Sequence, residues 1–211
     1  MRLDDDSGFT LVEMSVALIL SAMVVATFVS VFFSFSQNAG DANGKAEHQE
    51  QARQVIARLV VDLRQAVAAD PNGQVIESLG PDRLVFYTMM RDGDTPIRVV
   101  YERANCASAE CELLVERYAA TDFDDGAYAF ATTPYEETRL MSGVLADQSL
   151  FIGMDWVGDP KVKTSITACG GSGPACSFPL VSVTLRSMPL NTSEGGRTPL
   201  EIREEVRMRN A

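Results

Sequence analysis

Few residues in this 211-residue chain are of types that carry chemistry, and their spacing narrows what they can do. There is one histidine, His48, set between Glu47 and Gln49 in a polar stretch that reads as solvent-facing. A Ser–His or Cys–His mechanism would have to use it. No Walker A loop and no G-x-G-x-x-G run occurs, so a phosphate-cradling backbone has no signature. The run Asp122-Phe123-Asp124-Asp125-Gly126 alternates carboxylates with a glycine. Side-chain and backbone oxygens of such a run can wrap calcium, although the spacing is not that of an EF-hand. The expectation is therefore a chain that is not an enzyme and needs no cofactor. Calcium at Asp122, Asp124 and Asp125 is the one ligand these residues leave open.

The four cysteines fall in two close pairs, Cys106/Cys111 and Cys169/Cys176. Zinc sites usually use tighter C-x2–4-C spacing, often with histidine, and His48 is far away in sequence. Two local disulfides fit better than metal-binding or free thiols, and they point to an oxidising compartment outside the cytoplasm.

Glu13 is the odd residue. From Phe9 to Phe35 it is the only ionisable side chain, and no Gly or Pro interrupts the stretch. As a helix these residues reach about 40 Å, more than the roughly 30 Å hydrocarbon core of a bilayer. Only a helix lets such a segment satisfy its own backbone hydrogen bonds in lipid. A carboxylate in an apolar span costs about 2.5–3.5 kcal/mol near the centre, and less near an end. It is either tolerated at the interface or partnered. A free amine made by cutting between Gly8 and Phe9 would be a suitable cation, and its attraction is strengthened in a lipid-like dielectric.

Gly8-Phe9-Thr10-Leu11-Val12-Glu13, followed at once by an apolar helix, resembles the class III signal of type IV pilins and type II secretion pseudopilins. The resemblance implies that a prepilin peptidase cuts after Gly8 and methylates the new amine on Phe9. It makes Glu13 the fifth mature residue, which in that family neutralises the amine of a neighbouring subunit during assembly. It implies other pilin or pseudopilin subunits, the peptidase and an inner-membrane assembly platform as partners. The expected location is the cytoplasmic membrane, crossed once, with the C-terminal domain outside the cytoplasm and later in a pilus or pseudopilus. The leader departs from the usual basic type, because it carries Asp4, Asp5 and Asp6 beside Arg2. Arg58–Val67 and the late run Leu180–Leu185 also resemble J-type minor pseudopilins. A minor pilin of a type IV pilus is the other role within the family. From another class, the alternative is a signal-anchored extracytoplasmic binding protein or enzyme with no filament role.

The elements that must position these residues follow from periodicity. The chain divides into a leader (1–8), a transmembrane or filament-core helix (9–35), an amphipathic continuation (36–70) and a β-rich extracytoplasmic domain (71–211). Gly40, Gly44 and two asparagines lower helix propensity at 36–44, which predicts a bend or a melted turn there. Ala52, Val55, Ile56, Leu59, Val60, Leu63, Ala66 and Val67 then recur at three- and four-residue spacing, the stripe of a helix buried on one face. Arg58 and Asp62 are set four apart on its other side, and Asp70-Pro71-Asn72-Gly73 is its stop. Beyond it the period becomes two. Strands are expected at 74–79, 83–89, 97–103, 112–118, 139–145, 149–156, 179–186 and 201–209. Links this short predict an antiparallel meander. Residues 119–149 are the least regular. The fold class is α+β and pilin-like: a long N-terminal helix, half transmembrane and half amphipathic, packed on antiparallel sheet. The formal net charge of −11 disfavours nucleic acid as a partner.

Overall fold

A computed structural model of the chain describes residues 10–69, 73–89, 93, 95–107, 109–157, 162–171, 175–189 and 197–208. The expected helix stop at 70–72 lies outside them, as do Gly8 and Phe9. Two compact units are present, Met1–Asn43 and Gly44–Ala211. One helix, α1 (Leu11–Arg64), begins in the first and ends in the second.

The expected melted turn is absent, since residues 36–44 are helical throughout. Starting a second helix after a break costs about 4 kcal/mol at a nucleation constant near 0.001. Two glycines cost only about 2 kcal/mol together, so the ladder runs on. Nothing stands within 4 Å of where a Cβ would project from Gly40.

In the second unit, α1 buries the expected stripe: Ala52, Val55, Ile56, Leu59, Val60 and Leu63. The helix ends at Arg64, five residues early. Val67 N–H donates to the carbonyl of Tyr87 at 2.9 Å, and Ala66 bridges Thr88. The neighbouring strand thus takes the Val67 amide, while Ala66 N–H turns back to the carbonyl of Leu63 at 3.2 Å, and the helical ladder ends there.

The sheet is antiparallel at every described pairing. Its first part follows chain order: β1 (Ile76–Leu79), β2 (Arg83–Met89), β3 (Pro96–Ala107) and β4 (Glu110–Asp124). β5 (Ala127–Phe130) folds back on β4, and β6 (Glu136–Leu145) pairs β4 from the other side. The meander ends there. β10 (Leu180–Ser187) lies beside β6 and pairs both β7 (Phe151–Val157) and β11 (Leu200–Arg207). β8 (Val162–Ile166) pairs β7, and the two-residue β9 (Cys169–Gly170) closes onto β1. β10 is central because Val181, Val183 and Leu185 are nearly fully buried. These residues alternate along the strand and so share one face, and Ser182 between them is buried as well.

Residues 119–149 are more regular than expected. β4 continues to Asp124, a two-residue turn follows, and β6 starts at Glu136. Asp125 and Gly126 have φ of 47° and 83°, the positive pair that a tight hairpin turn demands. Residues 121–126 are exposed on both faces, so no alternation marks them as strand.

One face of the sheet carries the main core. Leu84, Phe86, Val99, Tyr101, Leu113 and Val115 pack there with the α1 stripe. On the other face Val85, Val100 and Tyr118 form a smaller cluster, covered by Phe130 of β5.

Candidate processing and assembly segment

α1 starts with a reciprocal cap. Thr10 N–H and Thr10 Oγ1 both donate to Glu13 Oε2 at 3.0 Å, and Glu13 N–H donates to Thr10 Oγ1 at 3.2 Å. Thr-x-x-Glu is a capping box, in which two otherwise unpaired helix-end donors are satisfied. Glu13 therefore fixes the start of the helix as well as carrying a charge. The spacing was present in the sequence as Thr10-Leu11-Val12-Glu13, but the family motif drew attention to the carboxylate alone. The structure describes no partner amine for Glu13, because Gly8 and Phe9 lie outside the described residues.

Residues 10–38 are exposed along the whole helix. Leu11, Phe28 and Phe35 are each at least 70% accessible. By length and composition α1 is able to cross a membrane. Its hydroxyls suit that solvent. Ser15 donates to Leu11 O, Thr27 to Val24 O and Ser30 to Thr27 O, at 2.8–2.9 Å. Each returns its donor to the helix's own backbone, so these three need no water.

Residues 4–29 match the family model described as the prokaryotic N-terminal methylation motif. The match supports a class III signal of the type IV pilin and pseudopilin kind, cut by a prepilin peptidase. With the exposed apolar helix behind it, it fits a single-pass membrane anchor. No curated protein and no solved structure matches the chain.

The remaining chemical candidates are distributed as follows. Cys106 is bonded to Cys111 at the β3–β4 hairpin tip, and Cys169 to Cys176. Asp122, Asp124 and Asp125 are strung along the exposed end of the β4–β5 hairpin, and Asp122 Oδ1 accepts from Phe123 N–H at 2.8 Å. Among the described residues no group of three or more His, Cys, Asp or Glu is placed to hold a metal ion.

His48 is not solvent-facing as expected. It is 9% exposed, and its Nε2 stands 3.0 Å from Ser187 Oγ. The polar neighbours in sequence hid a packing position that falls one turn before Ala52 on the buried face. A serine–histidine pair suggests a nucleophile. Ser187 is fully buried, however, and among the described residues no carboxylate is placed to orient the imidazole. The pair is a clasp between α1 and β10. Burial holds the His48 pKa below its ordinary value. The unfolded chain therefore takes up a proton first as pH falls below about 6.5. Stability that His48 contributes above that pH is lost on acidification. Unfolding of detergent-solubilised protein across a pH series should show this loss, and His48→Gln should remove that component.

Arg58 and Asp62 do not pair with each other along the helix, contrary to the four-residue expectation. Arg58 reaches Glu136 at 3.2 Å, and Asp62 Oδ2 accepts from Arg117 at 2.9 Å and from Tyr101 Oη at 2.7 Å. Arg117 also bonds Glu136 at 3.0 Å. The group lies along a groove of about 660 Å³ beside Val61 and Tyr135. Burial pulls the Arg117 pKa down, but Asp62 and Glu136 outweigh it and hold the guanidinium raised. Burial and then Asp62 keep the Tyr101 hydroxyl protonated far above its usual range. Strands far apart in sequence supply the partners, so the helical spacing alone could not show them.

Proposed function

We propose that the chain is a minor pilin-like structural subunit, assembled into a type II secretion pseudopilus or type IV pilus, at or near its tip. The observation that carries the reading is Gly8–Glu13 at the head of an exposed, uninterrupted apolar helix that continues into a β-rich domain. The domain supports a tip position by its bulk: a sheet with eleven strands among the described residues is more easily accommodated at an end than along a packed shaft. The acidic net charge, −11, favours a protein-binding role over DNA capture. The Arg58–Val67 segment favours the J-type subunit within this class. In this reading the protein is a peptidase substrate and not an enzyme. It resides in the inner membrane before assembly, beside other pilin-like subunits and the assembly platform.

Mass spectrometry of the N-terminus tests it. Protein extracted from membranes that contain the peptidase should begin at Phe9 with an added methyl group. Gly8→Ala should leave Met1 or the leader in place. An intact N-terminus in the parent protein, or a cut near the far end of the apolar run, would return the chain to the anchored-binding-protein class.

Glu13→Val separates processing from assembly. The variant removes one half of the capping box and the only charge of the span. It should stay in the membrane but disappear from sheared filaments or from cross-linked subunit complexes. Unchanged incorporation would show that Glu13 serves only as a helix cap.

A further inference from the structure

Among the described residues, the sheet has two longer strands that pair on one side only, β8 and β11. They differ in how they are defended. β11 reads Leu-Glu-Ile-Arg-Glu-Glu-Val-Arg, with Glu201, Arg203, Glu204, Glu205 and Arg207 exposed. Charges on a free edge oppose pairing with another chain. β8 reads Val-Lys-Thr-Ser-Ile and carries one charge, Lys163. That ammonium is turned back across the sheet onto Glu205 of β11 at 2.5 Å. Thr164 and Ser165 are exposed and uncharged. Beside them, at the end of β7, Trp156 is 47% exposed and Val157 is 55% exposed. Trp156 is the only tryptophan of the chain, and it stands opposite Lys163 in the ladder. An undefended edge flanked by an exposed aromatic is the anatomy of a pairing surface.

We propose that β8 pairs antiparallel with β8 of a second copy of this chain, with Thr164 opposite its own equivalent. The order of residues carries the choice of partner. A two-fold axis at Thr164 sets Lys163 opposite Ser165 and Val162 opposite Ile166. Threonine then meets threonine, aliphatic meets aliphatic, and no two charges face each other. β11 would have to bring five charged side chains to such a seam, where β8 brings one. The edge is short, five residues. Two copies anchored in one membrane meet at raised effective concentration, which lets a short edge suffice.

Cross-linking of the full-length protein in membranes tests the register. The four native cysteines are all in disulfides, so an introduced thiol has no free internal competitor. Residues directly opposite in an antiparallel pair have Cα atoms about 4.5–5.5 Å apart, within the span a disulfide bridges. Oxidation with copper phenanthroline should give a covalent homodimer from Thr164→Cys, in severalfold higher yield than from Arg203→Cys on β11. Adding Ser165→Lys to Thr164→Cys should suppress the dimer, because it sets a second ammonium opposite Lys163 of the copy. Should Thr164→Cys fail to fold, a mixture of Lys163→Cys and Ser165→Cys chains reads the same register as a mixed dimer. Equal yields at the two edges, no dimer from a folded variant, or a cross-link to a different protein would each overturn the proposal. The readout does not depend on whether the leader has been removed.

Discussion

Asp62→Ala should lower the unfolding free energy by about 3–5 kcal/mol, the range for breaking a buried ion pair on one side. The side chains of Asp62 and Arg117 are each only 15% exposed. Removing the carboxylate leaves the Arg117 guanidinium with Glu136 alone, and leaves Tyr101 Oη, buried at the helix–sheet interface, without its acceptor. The second loss cannot be made good by water, because the Tyr101 side chain is fully buried. A urea titration in detergent, followed by tryptophan-independent near-ultraviolet signals of the buried tyrosines, would measure it. The informative companion is the double variant Asp62→Leu with Arg117→Met. Since two apolar groups of similar volume avoid both desolvation penalties, the double variant should be less destabilised than either single one. If Asp62→Ala costs under about 1 kcal/mol, the range of an exposed pair, the cluster is solvated and the argument fails.

Gly170→Ala should be the most damaging single methyl group in the domain. Gly170 has φ of +83°, and a Cβ there would fall onto the carbonyl oxygen of Glu77 and 2.6 Å from Ser78 Cα. Both obstacles are backbone of β1, which β9 pairs through Ser78 and Gly170. Backbone cannot rotate aside as a side chain can, so the cost should exceed about 4 kcal/mol, the threshold of exceptional destabilisation. Gly171 is the internal control. Its φ is +61° with nothing within 4 Å, so alanine there costs only the left-handed strain of about 1–2 kcal/mol. The yield of protease-resistant protein should fall sharply for Gly170→Ala and little for Gly171→Ala. Similar yields for the two would mean that β9 does not close on β1 as described.

What could be read in advance was local. The helix stripe from Ala52 to Leu63 announces itself because it buries one face over several periods, and Arg83–Met89 because it is a short apolar run bounded by turn residues. The processing segment was legible for the same reason, since Gly8, Phe9 and Glu13 fall within six residues of one another. Non-local facts were not legible. Nothing around Asp62 says that its partner comes from β4 and not from the next helical turn. The central place of β10 depends on β6, β7 and β11 meeting there, which no window of sequence contains. His48 was misjudged because its neighbours Glu47 and Gln49 are polar while its own position on the helix faces Ser187.

The burial of α1 changes character along its length. The described residues of the helix are exposed up to Asn38. Among the described residues, the helix's share of the domain core lies wholly from Ala52 onward. Mutational drift in the anchor and in the head is decoupled. The apolar segment is free to be tuned to whichever lipid or helix it must match, while the head is reshaped for a new task without disturbing the address written at the N-terminus. A chain built this way is a common handle fitted with an exchangeable tool.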